Sequence, residues 1–118
     1  MYRKLEIWKD SVELIKIVYK IAEELPKSEE YNLKSQLKRA ITSVTLNIVE
    51  GKCRSTSKEF AHFLNMASSS LSESEAILGI CIALDYIKDD YEVFEKIAFL
   101  NKRINALRMK LLKEDTND

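Results

Sequence analysis

Residues that form turns are almost absent from this sequence. Only two glycines and one proline occur in 118 residues, while apolar residues recur at spacings of three and four. An all-β fold needs frequent turns, whereas a chain of a few long helices needs very few. The scarcity of turn residues therefore predicts an all-α fold.

The apolar pattern divides the chain into four helices, which we predict at residues 5–25, 32–50, 56–86 and 90–113. Long helices joined by short connections favour an antiparallel up-down-up-down four-helix bundle. We expect one domain over residues 1–113 and a frayed C-terminal tail over residues 114–118.

Individual residues suggest where the helices begin and end. Thr56 or Ser57 is predicted to cap the third helix, since a side-chain oxygen accepts hydrogen bonds from the unpaired N–H groups of a first turn. Asp89 or Asp90 is predicted to cap the fourth helix for the same reason. Gly51 is predicted to follow the second helix in a left-handed conformation, which costs glycine little because it has no Cβ.

The first helix carries more apolar surface than one core requires. One seam comprises Leu5, Trp8, Val12, Ile15, Tyr19 and Ala22. A second seam comprises Ile7, Leu14, Val18, Ile21 and Leu25. Together they cover roughly half of the helix circumference, whereas a single core needs a stripe of about 100° or somewhat more. The excess favours a contact between subunits, with a wide core in a monomer as the alternative.

The third helix carries a row of small residues that would let another helix approach closely. The row comprises Ala61, Asn65, Ser68, Ser72, Ala76, Gly79 and Ala83. A glycine in a helix interior costs about 1 kcal/mol relative to alanine, so Gly79 suggests a packing role.

Composition limits the possible functions. Basic and acidic residues balance at 19 each, so contact with nucleic acid would need a local patch. The two cysteines match no metal-binding spacing, and no apolar run is long enough to cross a membrane. We expect a soluble cytoplasmic protein with no cofactor and no small-molecule substrate.

A basic stretch around the predicted second turn is the first candidate site. It contains Lys34, Lys38, Arg39, Lys52, Arg54 and Lys58. The following stretch, residues 59–95, is acidic and has Lys88 as its only Lys or Arg. The pattern is compatible with salt-dependent contact to phosphates of RNA or DNA. The alternative is an ordinary solvated turn, and no aromatic residue interleaves the basic ones to support base stacking.

A polar row on the second helix is the second candidate. It comprises Gln36, Arg39, Ser43, Asn47 and Glu50, and Glu73 or Glu75 of the third helix could pair with Arg39. We interpret the row as a hydrogen-bonded layer that specifies assembly. A polar binding groove is the alternative.

Catalytic and metal chemistry have little support. Glu59 and His62 form one Glu-x-x-His motif, but carboxylate-bridged di-iron bundles need two, and His62 is the only histidine. Cys53 lies between Lys52 and Arg54, which could activate its thiol, although an ordinary exposed thiol is the simpler interpretation. We predict no metal site and no enzymatic activity.

The sequence resembles the bacterial four-helix proteins named for the intervening sequences of 23S rRNA genes. The resemblance covers nearly the whole chain and consists of Trp8, Leu25-Pro26, Glu29, Tyr31, Gln36 to Ala40, Ser43, Asn47-Ile48, Glu50-Gly51, Arg54, Phe63-Leu64, Ser70-Leu71 and Glu73. The chain has Asn32, Thr45 and Ser69 where the family usually has Gly, Pro and Gly.

The resemblance implies a four-helix bundle that assembles into a ring, typically a homopentamer, without an established catalytic activity. It also implies kinship with accessory proteins of diversity-generating retroelements, whose basic pentamers bind nucleic acid and a reverse transcriptase. This chain is neutral overall. Our leading hypothesis is a non-enzymatic oligomeric adaptor that contacts RNA or DNA. The alternative is a structural or protein-binding assembly without affinity for nucleic acid.

Overall fold

Four α helices account for most of the chain. The computed structural model describes the backbone of residues 1–117 and the side chains of residues 1–114. The helices are α1 (Glu6–Ala22), α2 (Leu33–Lys52), α3 (Ser57–Ala83) and α4 (Tyr91–Asn117). Short 3-10 helices at Tyr2–Lys4 and Lys27–Glu29 precede α1 and α2, and the described residues contain no β strand. The predicted all-α class and the number of helices are confirmed.

Two of the predicted helix caps are confirmed. Thr56 has extended backbone angles, and its hydroxyl accepts a hydrogen bond from the backbone N–H of Glu59 at 3.1 Å. The Asp90 carboxylate accepts a hydrogen bond from the backbone N–H of Val93 at 3.2 Å. Both interactions satisfy N–H groups that have no partner within the first helical turn.

The predicted role of Gly51 as a left-handed C-terminal cap is wrong. Gly51 lies inside α2, which continues to Lys52, and neither glycine has a positive φ. A Cβ built on Gly51 would lie 2.8 Å from Phe60 Cδ1 and 2.9 Å from Phe63 Cβ. Glycine is therefore required because α3 approaches the backbone of α2 at this point, and not because of a special backbone conformation.

Each helix packs against the next one in sequence, and α1 also packs against α4. Their inner faces form one core cluster. The core residues of α1 include Ile7, Leu14 and Val18, and Leu25, just after the helix, is also buried; all four belong to the second of the two apolar seams. In the first seam, Trp8, Val12 and Ile15 are half-buried and Tyr19 is exposed. Leu5, Trp8 and Ile15 pack against the edge of the core and Ala22 is buried, so this first seam, here called the Trp8 seam, is only partly accessible to solvent.

Hydroxyl groups link α1 to α2 inside the bundle. The Thr45 hydroxyl donates to Ser11 Oγ at 2.8 Å, and the Ser11 hydroxyl donates to the carbonyl of Trp8 at 2.7 Å. Ser11 is buried, so these bonds offset the loss of its hydration. They also align the first half of α1 with the second half of α2.

Two polar contacts attach α4 to its neighbours. The Ser68 hydroxyl of α3 donates to Asn101 Oδ1 at 2.6 Å. Arg103 pairs with Asp10 of α1 at 2.6 Å. Both pairs are partly buried, which gives them more influence on helix register than fully solvated pairs would have.

Glu29 connects the turn before α2 to the end of α3. Its carboxylate accepts hydrogen bonds from Asn32 Nδ2 at 2.9 Å and from the Tyr86 hydroxyl at 3.1 Å. The hydrogen bond to Glu29 raises the pKa of the Tyr86 phenol, because ionisation would remove the proton that the phenol donates. Glu29 thus links the start of α2 to the segment that follows α3.

The small-residue row of α3 has two parts. Ala61 is buried and Ser68 half-buried, whereas Asn65, Ser72, Ala76, Gly79 and Ala83 are exposed. A Cβ on Gly79 would meet no atom within 4 Å. Most of the row is therefore exposed to solvent within one chain.

The C-terminal end of α4 differs from the predicted boundary. We predicted the helix to end at Lys113, and the assigned helix continues to Asn117. Asp118 lies outside the described residues. Fraying of residues 114–118 stays a prediction.

Across the described residues, no helix combines the length and the hydropathy required to span a lipid bilayer.

The two glycines of the chain make a matched pair of stability tests. Gly79→Ala is expected to raise the free energy of unfolding by up to ~1 kcal/mol, because it improves helix propensity and meets no neighbour. Gly51→Ala is expected to lower it by about 1–3 kcal/mol, because the new methyl group overlaps Phe60 and Phe63. Urea unfolding followed by circular dichroism measures both, and equal effects of the two substitutions would refute the close approach at Gly51.

Candidate nucleic-acid interface

The six predicted basic residues do not form one patch. They lie on and just after α2, with Lys34, Lys38 and Arg39 in its first half and the others around its end. At 1.5 Å per residue, Lys34 and Lys52 are separated by about 27 Å along the helix axis. The two groups must therefore be considered separately.

The group at the start of α2 is largely neutralised within the chain. Glu23, just after α1, accepts hydrogen bonds from Lys34 at 3.1 Å and from Lys38 at 3.0 Å. Lys34 also pairs with Glu30 at 3.1 Å. Hydrogen bonds from Lys38 and Lys34 lower the pKa of Glu23 below its ordinary value of 4.5, and hydrogen bonds to Glu30 and Glu23 raise the pKa of Lys34. These lysines tie α2 to the end of α1.

The group after α2 is arranged around aromatic rings of α3. Arg54 forms an ion pair with Glu50, and its guanidinium carbon lies 4.8 Å from the centre of the Phe63 ring. Lys52 Nζ lies 6.0 Å from the centre of the Phe60 ring. In the sequence no aromatic residue stands between the basic ones, but the fold places two rings beside them.

Lys58 is a cation of this group without a close acidic partner among the described side chains. It is exposed in the first turn of α3, and within the described part of the chain it makes no ion pair closer than 4.0 Å. Lys58, His62 and Arg108 line the same surface depression, in which α4 lies beside α3. Their proximity creates a site where positive side chains from two helices converge.

Arg108 belongs to a basic run that the sequence analysis did not single out. Residues 96–113 contain six Lys or Arg residues and no Asp or Glu. The run spans 18 of the 27 residues of α4, and the apolar residues that recur along this helix obscured its charge. Counting charges in a sliding window would have found it, but its proximity to Lys58 depends on how α3 and α4 pack.

The polar row on α2 is only partly joined by hydrogen bonds. Asn47 Nδ2 donates to the Ser43 carbonyl at 2.9 Å, and the Ser70 hydroxyl of α3 donates to Ser43 Oγ at 3.1 Å. Gln36 Nε2 donates to Asn32 Oδ1 at 2.8 Å. The middle of the row therefore links α2 to α3, while Gln36 bonds to the start of its own helix.

Arg39 and Glu73 share a surface depression with Tyr31 and Ser43. No ion pair joins Arg39 to Glu73 or Glu75 among the described side chains, so the partner we predicted for Arg39 is not found within one chain. Glu50, at the end of the row, pairs with Arg54 instead. Whether the row specifies assembly stays a prediction.

The thiols differ in their surroundings. Cys53 is exposed beside Arg54, whereas Cys81 is buried in α3, and burial raises the pKa of its thiol. Across the described residues, no three His, Cys, Asp or Glu side chains come close enough together to hold a metal ion.

Comparison with known protein families identifies the chain. Residues 3–109 match the family described as 23S rRNA-intervening sequence protein. The chain belongs to this family. The resemblance noted from the sequence is therefore confirmed, and the match includes all four helices except the end of α4.

A solved structure has a similar fold. It is described as a protein of unknown function from the S23 ribosomal protein family of Bacteroides thetaiotaomicron. The two chains share 26% sequence identity with a TM-score of 0.70, over 91% of this chain and 98% of the other. A search among curated proteins found no match.

The structure gives physical reasons for several residues of the family resemblance. One contact between α2 and α3 involves Glu50, Gly51 and Arg54. Phe63 packs against Gly51, and Arg54, which pairs with Glu50, lies over the Phe63 ring. Glu29 joins the start of α2 to Tyr86. These family residues thus hold the two ends of α2 in place.

The ion pairs of Glu23 predict a pH-dependent contribution to stability. Folding lowers the pKa of Glu23, so its contribution is present above pH 4.5 and is lost as the pH falls through the lower folded-state value. Wild type is therefore expected to be more stable than Glu23→Gln near neutral pH, and this difference should shrink in acid. Urea unfolding between pH 3 and pH 7 measures it.

Glu24→Gln is the control, because it removes an adjacent exposed carboxylate that makes no ion pair among the described side chains. If the difference between wild type and Glu23→Gln stayed constant across this range, Glu23 would not stabilise the fold through Lys34 and Lys38.

Proposed function

We propose that the protein is a non-enzymatic oligomeric adaptor that binds RNA or DNA phosphates through the end of the bundle that contains the α2–α3 turn. The observation that carries the proposal is the convergence of Lys58 and Arg108 from two helices in one surface depression. Lys52 and Arg54 lie beside Phe60 and Phe63, near the same end of α3. Exposed cations without acidic partners bind phosphates by displacing counterions, with little dependence on base sequence.

Charge segregation supports an orientation for this contact. The segment that joins α3 to α4 and begins α4 contains Asp85, Asp89, Asp90, Glu92 and Glu95. Leu78 and Tyr86 line a depression with three of these aspartates, near the opposite end of α3 from Lys58. The acidic end would repel a polyanion, so nucleic acid would approach the basic end.

The helix contacts support an antiparallel up-down-up-down order. Lys38 near the start of α2 contacts Glu23 just after α1, and Thr45 later in α2 contacts Ser11 early in α1. Lys58 at the start of α3 lies near Arg108 late in α4. These contacts favour opposite directions for α1 and α2 and for α3 and α4.

Two surfaces support assembly into a ring, which the family resemblance suggests is a pentamer. Within one chain, part of the Trp8 seam of α1 and most of the small-residue row of α3 remain accessible to solvent. A ring would place several copies of the basic end side by side. Multiple weak phosphate contacts then act together, which raises the overall affinity.

The binding proposal predicts a specific loss on charge removal. Lys52→Gln/Lys58→Gln is expected to weaken binding of a labelled structured RNA, and of a DNA of matched sequence. It should lower the slope of log affinity against log salt by about two, because two phosphate contacts are lost. Fluorescence anisotropy across a salt series measures affinity and slope together.

Lys27→Gln/Lys88→Gln is the matched control, since it removes the same charge from exposed positions outside the proposed interface. If both double variants lost affinity equally, the interface would be wrongly placed. If wild type bound neither nucleic acid at low salt, the alternative of a structural or protein-binding assembly would replace this proposal.

The assembly proposal predicts that bulk on the α3 row prevents association. Ala76→Arg is expected to reduce an oligomer to smaller species without unfolding the chain, because Ala76 is exposed within one subunit. Light scattering measures the mass against the 13.7 kDa of one chain. Met66→Arg, an exposed position of α3 outside the row, is the control, and a monomeric wild type would refute the ring.

A further inference from the structure

Arg54 differs from Lys58 and Arg108 because it has both an acidic partner and an aromatic ring beside its guanidinium. Glu50 pairs with its guanidinium on one side, and the ring of Phe63 lies beside it at 4.8 Å. The side chain nevertheless remains 41% exposed. Because Glu50 already compensates much of its charge, Arg54 attracts phosphate less strongly than an unpaired lysine would.

The position of Phe63 beside Arg54 depends on Gly51. Phe63 Cβ lies only 2.9 Å from the point that a Cβ on residue 51 would occupy, so this approach requires glycine. The Phe63 ring is half-buried. The Arg54 guanidinium therefore has an aromatic ring beside it and keeps part of its surface in solvent.

A planar cation held in this way can carry a nucleobase. Unpaired bases stack on aromatic rings and on arginine guanidinium planes, and such stacking tolerates any base because every base has a π face. In a duplex the faces of the bases are already stacked on one another and are not available. Lysine has no plane and cannot replace arginine in this role.

We propose that Arg54, supported by Phe63 and Glu50, is a stacking platform that makes the interface select unpaired nucleotides over duplex nucleic acid. This inference rests on the proposed function, which supplies the phosphate contacts. Lys58 and Arg108 hold the backbone of the strand, and Arg54 receives a base from it. The substrate class is thus single-stranded RNA or DNA, or the unpaired loops of a structured RNA.

The test compares three labelled ligands of equal length by fluorescence anisotropy: a single-stranded oligouridine, the same strand with abasic sites throughout, and a duplex. The abasic strand retains the phosphates and removes only the bases. Wild type is expected to bind the oligouridine at least ~5-fold more tightly than the abasic strand, given the usual strength of stacking on one platform. It should also prefer the oligouridine to the duplex.

Two variants test whether Arg54 is responsible for the preference for the oligouridine over the abasic strand. Arg54→Lys keeps the positive charge and removes the plane, so it is expected to bind the oligouridine and the abasic strand almost equally. Lys58→Gln is the control, since it should weaken binding of both strands by the same factor. Thermal unfolding by circular dichroism verifies that each variant is folded.

The outcomes separate this inference from the proposal beneath it. If no ligand binds at low salt, the proposed function fails, and the inference fails with it. If wild type binds the abasic strand as tightly as the oligouridine, the phosphate contacts stand and the platform is refuted. If wild type discriminates and Arg54→Lys discriminates equally well, stacking occurs elsewhere and the assignment to Arg54 is refuted.

Discussion

The contact between Gly51 and the first turns of α3 is the constraint on which the candidate interface depends. Any side chain at Gly51 would overlap Phe60 and Phe63, so the two helices meet there only because the Cβ is missing. The close contact brings the ring of Phe63 beneath Arg54 and the ring of Phe60 near Lys52. One missing methyl group thus determines both how the α2–α3 turn packs and which groups it presents to solvent.

The chain has a net charge of zero, but its two ends differ in local charge. The molecule extends 51 Å along its longest axis, whereas salt screens exposed charges over about 8 Å under physiological conditions. Lys58 and Arg108 at one end are therefore almost independent of Asp89 and Asp90 at the other. A net charge of zero does not prevent local binding of a polyanion. The separation of charge between the two ends would give that binding a preferred orientation.

The proposed assembly would relate the apolar surface of α1 and the exposed row of α3 to the candidate interface. Within one chain, Trp8, Val12 and Ile15 remain half-buried and Gly79 has no neighbour. Exposed apolar surface of this kind commonly marks a contact with another molecule. A ring built on these surfaces would repeat the basic end around an axis, which converts a few phosphate contacts per subunit into a binding surface of useful strength.

Sequence by itself determined the fold class, the number of helices, two of their caps and the family, because helical periodicity, capping and a long motif are local properties. Tertiary structure alone decided which seam of α1 is buried, that Gly51 serves a contact between helices, and that Lys34 and Lys38 are occupied by Glu23. It also brought Arg108 to Lys58 across more than forty residues of sequence. These features depend on distances between helices, and the order of residues along one chain does not contain those distances.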